Sequence, residues 1–161
     1  MFNLNVVLFE PEIPQNTGNI VRTCAAVGAR LHLIKPLGFS VRDRYLKRAG
    51  LDYWQMVEIE YYDNISEFIN KNIGGNFIFI TKKASQPYDK IDFSGNVFLV
   101  FGKETAGLPE NILNEFWDRC YRIPMKSDAR SLNISNAVAI VVYEALKQNG
   151  FSGLKLQESN D

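Results

Sequence analysis

Val97-Phe98-Leu99-Val100-Phe101-Gly102-Lys103-Glu104-Thr105-Ala106-Gly107-Leu108-Pro109-Glu110 runs from an unbroken apolar segment, through a loop bounded by two glycines, to a proline that suits a first helical turn. A strand with one wet face alternates apolar and polar residues. A run without alternation suits a strand covered on both faces, as in a parallel sheet. The segments 4–9 (LNVVLF) and 76–81 (NFIFIT) carry the same signal, and 31–34 (LHLI), 57–62 (VEIEYY) and 119–123 (RCYRI) bring the expected strands to six. Helices are expected at roughly 16–28, 42–49, 64–72, 109–116 and 133–149. Strands alternating with helices predict an α/β fold: a three-layer sandwich around a parallel sheet.

With 161 residues, 46% hydrophobic and 22% charged, the chain reads as a single domain over 1–161, with 154–161 as a frayed tail. Eighteen Lys and Arg balance eighteen Asp and Glu. No net field draws in a polyanion, so any grip on nucleic acid must come from a local basic patch. Arg42, Arg44, Lys47 and Arg48 form such a cluster, diluted by Asp43 and Asp52. Two cysteines, Cys24 and Cys120, exclude a disulfide framework and an all-cysteine zinc site, and suit a reducing compartment. The one histidine, His32, lies inside an apolar strand run and reads as structural, so no metal is expected. The N-terminus shows no cationic leader, and no apolar run approaches the ~18 residues that span a bilayer. A soluble, cytoplasmic protein without a membrane partner is expected.

Ala137-Val138-Ala139-Ile140-Val141-Val142-Tyr143 is apolar on every side of its helix. Such a helix must be covered all round, either centrally within one chain or by a second subunit. The second solution is preferred, and it predicts a symmetric homodimer.

Two further segments join 101–110 as candidate functional loops. Glu10-Pro11-Glu12-Ile13-Pro14-Gln15-Asn16-Thr17-Gly18-Asn19-Ile20-Val21-Arg22 follows the first strand, where parallel sheets bind ligands. Asn16 or Thr17 could cap the helix. Asn16, Asn19 and Arg22, three apart, could present two amides and a guanidinium from one face to a phosphate or ribose. Spacing alone favours the plainer reading, a capped helix start with a solvated face. Gly102 and Gly107 have the spacing of a phosphate loop, but Leu108-Pro109 stands where Lys-Ser/Thr is required, and a plain strand-to-helix connection competes. The segment 123–136 (IPMKSDARSLNISN) offers more small polar residues than one helix cap needs, and extended backbone there could read a planar ligand such as adenine.

In this order the three loops resemble motifs 1, 2 and 3 of the SPOUT (SpoU–TrmD) RNA methyltransferases. The strings are EPEIPQNTGNIVR, FGKETAGLP and IPM…SLNISNAVAIVVYEA, and the resemblance runs from about residue 4 to about 152. Residues 38–54 (GFSVRDRYLKRAGLDYW) are similar to the small stand-alone members that methylate the ribose of the tRNA wobble nucleotide. The resemblance implies S-adenosyl-L-methionine as cofactor, a C-terminal deep trefoil knot, and a homodimer in which each site is completed by the partner's motif 1. It implies the tRNA anticodon stem-loop as partner, with methylation at position 34, on cytidine or 5-carboxymethylaminomethyluridine of leucine tRNAs. Carried over by position, Ile80, Gly102, Glu104, Ile123, Ser131 and Leu132 would meet the cofactor, with Glu104 also holding its loop. Arg22 would be catalytic, supported by Asn16 and Asn19. Asn133, Ser135 and Asn136 would shape the knot and position the ribose, and Lys126 and Arg130 would meet RNA phosphates. Ala129 departs from the serine often found there.

The implied reaction is an in-line displacement, in which a ribose 2′-oxygen attacks a methyl group on a sulfonium sulfur. Sulfonium leaves readily, so the protein has to align the partners and handle the hydroxyl proton. The family's motif 1 arginine is usually cast as general base. A guanidinium keeps its proton in proteins, so Arg22 is assigned to stabilising the developing alkoxide and gripping the adjacent phosphate. Rival readings are a related enzyme acting on rRNA, a non-catalytic α/β dimer that binds RNA, and a flavodoxin-like nucleotide binder.

Overall fold

The computed structural model describes residues 2–42 and 44–157, without the side chains at 45, 47 and 49–51. Its strands are β1 (Asn3–Phe9), β2 (Arg30–Ile34), β3 (Ile59–Tyr62), β4 (Asn76–Ile80), β5 (Gln86–Pro87), β6 (Asn96–Phe101) and β7 (Cys120–Arg122). Its helices are α1 (Pro14–Val27), α2 (Arg44–Trp54), α3 (Ile65–Lys71), α4 (Glu110–Glu115) and α5 (Ile134–Gln148). The strands form one parallel sheet in the order β3-β2-β1-β6-β4-β7-β5. All six expected strands are present. The seventh, β5, is a polar dipeptide ending in proline, tolerable at a sheet edge and carrying no periodic signal. β3 begins two residues later than expected, and α2 runs on to Trp54.

Alternate residues of each central strand enter separate cores, as a two-sided sheet requires. Val6, Leu8, Leu31, Leu33, Ile78 and Leu99 pack with Ile20, Val21 and Cys24 of α1 and Val138, Val141 and Val142 of α5. Val7, Phe9, Phe77, Phe79, Phe98 and Val100 pack with Phe68 of α3 and with Ile112 and Leu113 of α4. α2 lies along α1, outside the first core. α5 is therefore a surface helix rather than a central one. Val138, Val141, Val142, Ala145 and Leu146 are buried, whereas Ile140 and Tyr143 stand 36% and 48% exposed. At the C-terminus Leu154 still packs against the first core, and residues 158–161 lie outside the described residues.

His32 is buried in the second layer among Tyr62, Phe68 and Phe98. Its Nε2 faces Asn5 Oδ1 at 3.2 Å and its Nδ1 faces the Tyr62 hydroxyl at 3.0 Å. Asn5 in turn donates to Asn96 Oδ1 and to the Val97 carbonyl. The Tyr62 hydroxyl also lies 2.8 Å from Glu60 Oε2; it has one proton, and with Nε2–H donating to Asn5 a neutral ring accepts the hydrogen bond from that proton at Nδ1. Burial pulls the imidazole down to about 4, against a smaller upward pull from Glu60. The folded chain therefore keeps His32 neutral where the unfolded chain takes up a proton. The resulting stability is fully present above about pH 6.5 and is lost as pH falls towards 4, by at most about 3 kcal/mol. Urea unfolding should show stability falling between pH 6.5 and 5, before most carboxylates titrate, and His32→Gln should flatten that fall. An equal pH slope in both proteins would rule His32 out as its source.

Candidate active site

Register brings the three loops together. Leu8 pairs with Phe101, Phe101 with Ile80, and Ile80 with Tyr121, so β1, β6, β4 and β7 end level. The segments that follow leave the same edge of the sheet, where α/β proteins place ligands. The segments after β4, β6 and β7 line a cavity of about 420 Å³, within the range of small-molecule sites. Ile80, Gly102, Glu104, Ile123, Ser131 and Leu132 all line it, with Leu108, Met125 and Ala137 adding apolar wall. Residues 123–133 lie outside any strand or helix. Among the described residues no backbone bond takes the N–H groups of Ser131 and Leu132, which leaves them available to a ligand.

The 102–107 loop closes on itself through Lys103 N–H to Gly107 O (3.2 Å) and Gly107 N–H to Lys103 O (3.0 Å). A Cβ on Gly102 would stand 2.2 Å from the Gly107 carbonyl carbon and 2.3 Å from the Leu108 nitrogen, so only glycine fits without moving backbone. Gly107 turns the chain at φ +69°.

Glu104 does more than line the cavity. Its carboxylate accepts from the backbone N–H groups of Glu12 (2.9 Å) and Ile13 (3.0 Å) at the start of α1. That start has no side-chain cap and no acidic residue in its first turn. Neither Asn16 nor Thr17 caps the helix, as the sequence had suggested; the capping carboxylate comes from motif 2, some ninety residues away, and suits the positive end of the helix dipole. The exchange is reciprocal: the Glu12 carboxylate accepts from Thr105 N–H (3.1 Å) and Thr105 Oγ1 (2.8 Å). Those bonds hold the Glu12 carboxyl below its usual range. Asn16, buried, donates to Glu104 Oε1 (3.4 Å) and accepts from Asn133 Nδ2 (3.0 Å), tying motif 3 to the other two. Asn133 also caps α5, accepting from Ser135 N–H at 2.9 Å. Lys103 reaches back to Glu10, whose backbone takes the left-handed φ of 45°, and the pairing raises the lysine's affinity for its proton.

Asn16, Asn19 and Arg22 do not share one surface: Asn16 is buried in the loop junction, while Asn19 and Arg22 are exposed. The Arg22 guanidinium lies 5.1 Å from the centre of the Tyr53 ring on α2 and does not line the cavity of its own chain. Arg42, Arg44 and Arg48 are exposed at and before α2, and the side chain of Lys47 lies outside the described residues. Lys126 and Arg130 are exposed on the motif 3 segment, which Lys82 braces by donating to the Arg130 carbonyl at 3.3 Å. Glu12, Thr105 and Tyr53 escaped the sequence reading, because each acts on a residue far away in the chain. Among the described residues no group of three or more His, Cys, Asp or Glu could hold a metal ion.

The sequence profile of the SpoU rRNA Methylase family matches residues 3–143. A Yersinia pestis protein named tRNA (cytidine(34)-2′-O)-methyltransferase is 46% identical over 161 residues, covering 96% of this chain and 99% of its own. A solved structure concerned with the 2-OH methylation of C/U34 on tRNA is 40% identical, with a TM-score of 0.88 over 93% of this chain and 98% of the other. The SpoU methyltransferase AviRb from Streptomyces viridochromogenes, solved in complex with AdoMet, is 27% identical at a TM-score of 0.79, over 94% of this chain and 59% of its own. With its three motif loops hydrogen-bonded to one another and the family's profile matched over residues 3–143, the chain belongs to the SpoU rRNA methylase family.

Proposed function

We propose that this protein transfers a methyl group from S-adenosyl-L-methionine to the ribose 2′-oxygen of nucleotide 34, cytidine or a modified uridine, in the anticodon loop of tRNA. The observation that carries the reading is the cavity lined by the motif 2 and motif 3 loops, which Glu104 and Asn133 tie by hydrogen bonds to the motif 1 loop beside it. Its volume, its apolar walls and the available N–H groups of Ser131 and Leu132 fit the cofactor. Ile80, Ile123 and Leu132 would wall the adenine, backbone at 102 and 131–132 would read its edge, and Glu104 would hold the loops in place. When bound, the cofactor supplies an electrophilic methyl group on a positively charged sulfur.

The remaining work belongs to the chain's own residues. Arg22, as an exposed cation, steadies charge developing on the 2′-oxygen and grips the neighbouring phosphate. Asn133, held by Asn16, orients the sugar. Lys126, Arg130, Arg42, Arg44, Lys47 and Arg48 supply a local phosphate track on a protein of zero net charge. One SPOUT domain spans 1–161 and works as a homodimer in the cytoplasm. Two observations support the dimer: the exposed Ile140 and Tyr143 on α5, and the position of Arg22 outside its own chain's cavity, where it could serve a partner's. A C-terminal trefoil knot is proposed as the resemblance implies, and the strand order supports it, since β7 pairs with β4 on one side and β5 on the other. Leucine tRNAs are the proposed acceptors, as the resemblance implies.

Incubating the protein with labelled S-adenosyl-L-methionine and purified tRNA or rRNA, then mapping the modified ribose, tests the reaction. Label at tRNA position 34 is expected. Label confined to rRNA, or retained RNA without label, overturns it.

Gly102→Ala should weaken cofactor binding roughly ten- to a hundredfold, because overpacking of about 1–3 kcal/mol falls on the loop backbone; calorimetric titration with S-adenosylhomocysteine measures it. Arg22→Lys should leave that affinity unchanged and lower the single-turnover rate about 10²–10³-fold. A near-wild-type rate would remove Arg22 from the chemistry. Tyr143→Asp should yield monomers in sedimentation velocity with little methyl transfer, and a fully active monomer would defeat the dimeric site.

A further inference from the structure

Resting on the methyl-transfer reading, we infer that Tyr53 is a positioning residue that holds the Arg22 guanidinium in place while leaving its hydrogen-bond donors free for the RNA. Arg22 is exposed, and among the described residues no carboxylate pairs with it. Its partner is the face of the Tyr53 ring at 5.1 Å.

The kind of partner matters. A carboxylate would take the guanidinium by its N–H edge and use two of its five donors. An aromatic face holds it through attraction between the cation and the ring's negative face, and consumes none of its donors in an ion pair. The ring is itself well held. Tyr53 is half-buried and packed against the core beneath α1, on a helix that lies along α1. A long, exposed arginine would otherwise spread over many rotamers. The ring narrows that spread without neutralising the charge that the reaction needs.

α2 also carries the exposed Arg44 and Arg48. The element expected to meet RNA phosphates is thus the one that sets where Arg22 points, so RNA docked against α2 is registered to the reacting ribose. The effect of one exposed cation–ring contact is modest, roughly two- to fivefold in the population of the held geometry.

The test compares Tyr53→Leu, Tyr53→Phe and Tyr53→Trp with the wild-type protein. Tyr53→Leu should lower the single-turnover methylation rate roughly two- to fivefold, with unchanged affinity for S-adenosylhomocysteine and unchanged oligomeric state. Tyr53→Phe and Tyr53→Trp should keep the wild-type rate, because each retains an aromatic face. An unaltered rate in Tyr53→Leu, or a loss in Tyr53→Phe as large as in Tyr53→Leu, overturns the inference. NMR gives a readout independent of activity: ring-current shifts of the Arg22 side-chain protons should be present in wild type and Tyr53→Phe and absent in Tyr53→Leu. Their absence from the wild-type protein overturns the contact, whereas their presence in a protein that methylates no RNA overturns the proposed reaction and leaves the contact standing.

Discussion

The site depends on a pair of crossed carboxylates. Glu104 of motif 2 accepts two backbone N–H groups at the start of α1, and Glu12 of motif 1 accepts the backbone N–H and hydroxyl of Thr105 in motif 2. Each loop closes the other's open donors. Charge-assisted bonds of this kind are shorter and stronger than neutral ones, and the Glu104 pair also opposes the positive end of a fourteen-residue helix. Asn16 extends the clasp to Asn133, the cap of α5. Three segments separated by roughly ninety and thirty residues thereby become one rigid rim. The rim requires Gly102, since a side chain there would collide with the backbone of the loop that carries Glu104.

The clasp is possible because of strand order. β1 and β6 are neighbours, so the loops that follow them emerge side by side, and β4 and β7 set Ile80 and Ile123 beside them. A parallel sheet puts every strand's carboxyl end on one edge, and level register turns that edge into a single mouth. The two faces of the sheet are filled separately, by α1 and α5 on one side and by α3 and α4 on the other. The edge is left for function.

What the sequence revealed follows from locality. The unbroken apolar runs at 4–9, 76–81 and 97–101 identify buried parallel strands because burial on both faces removes polar alternation. β5 stayed invisible because two residues, one of them proline, make no pattern. The cavity wall could be assigned through motif resemblance at Ile80, Gly102, Ile123 and Ser131. The contacts that fix its rim could not, because Glu12–Thr105 and Glu104–α1 join residues about ninety apart, and no spacing rule spans such a distance. The same reason hid the true cap of α1: Asn16 has the right chemistry for a cap, yet its side chain is drawn into the buried junction between Glu104 and Asn133. Equal spacing of Asn16, Asn19 and Arg22 promised one polar face, but a helix turns 300° over three residues, so the set drifts from buried to exposed.

Charge is divided along the same lines as rigidity. Around the clasp, glutamates are satisfied by N–H groups, a hydroxyl and Lys103, so acidic groups close to the cavity mouth are already engaged. The arginines at and near α2 stand exposed to solvent, and Arg22 is held by a ring that leaves its charge in place. A protein with eighteen positive and eighteen negative residues can in this way keep positive charge exposed locally: Glu12 and Glu104 are engaged by the loops, while Arg22 is held by a ring that does not cancel its charge. Local pairing chemistry, rather than net charge, then decides which surface a polyanion meets.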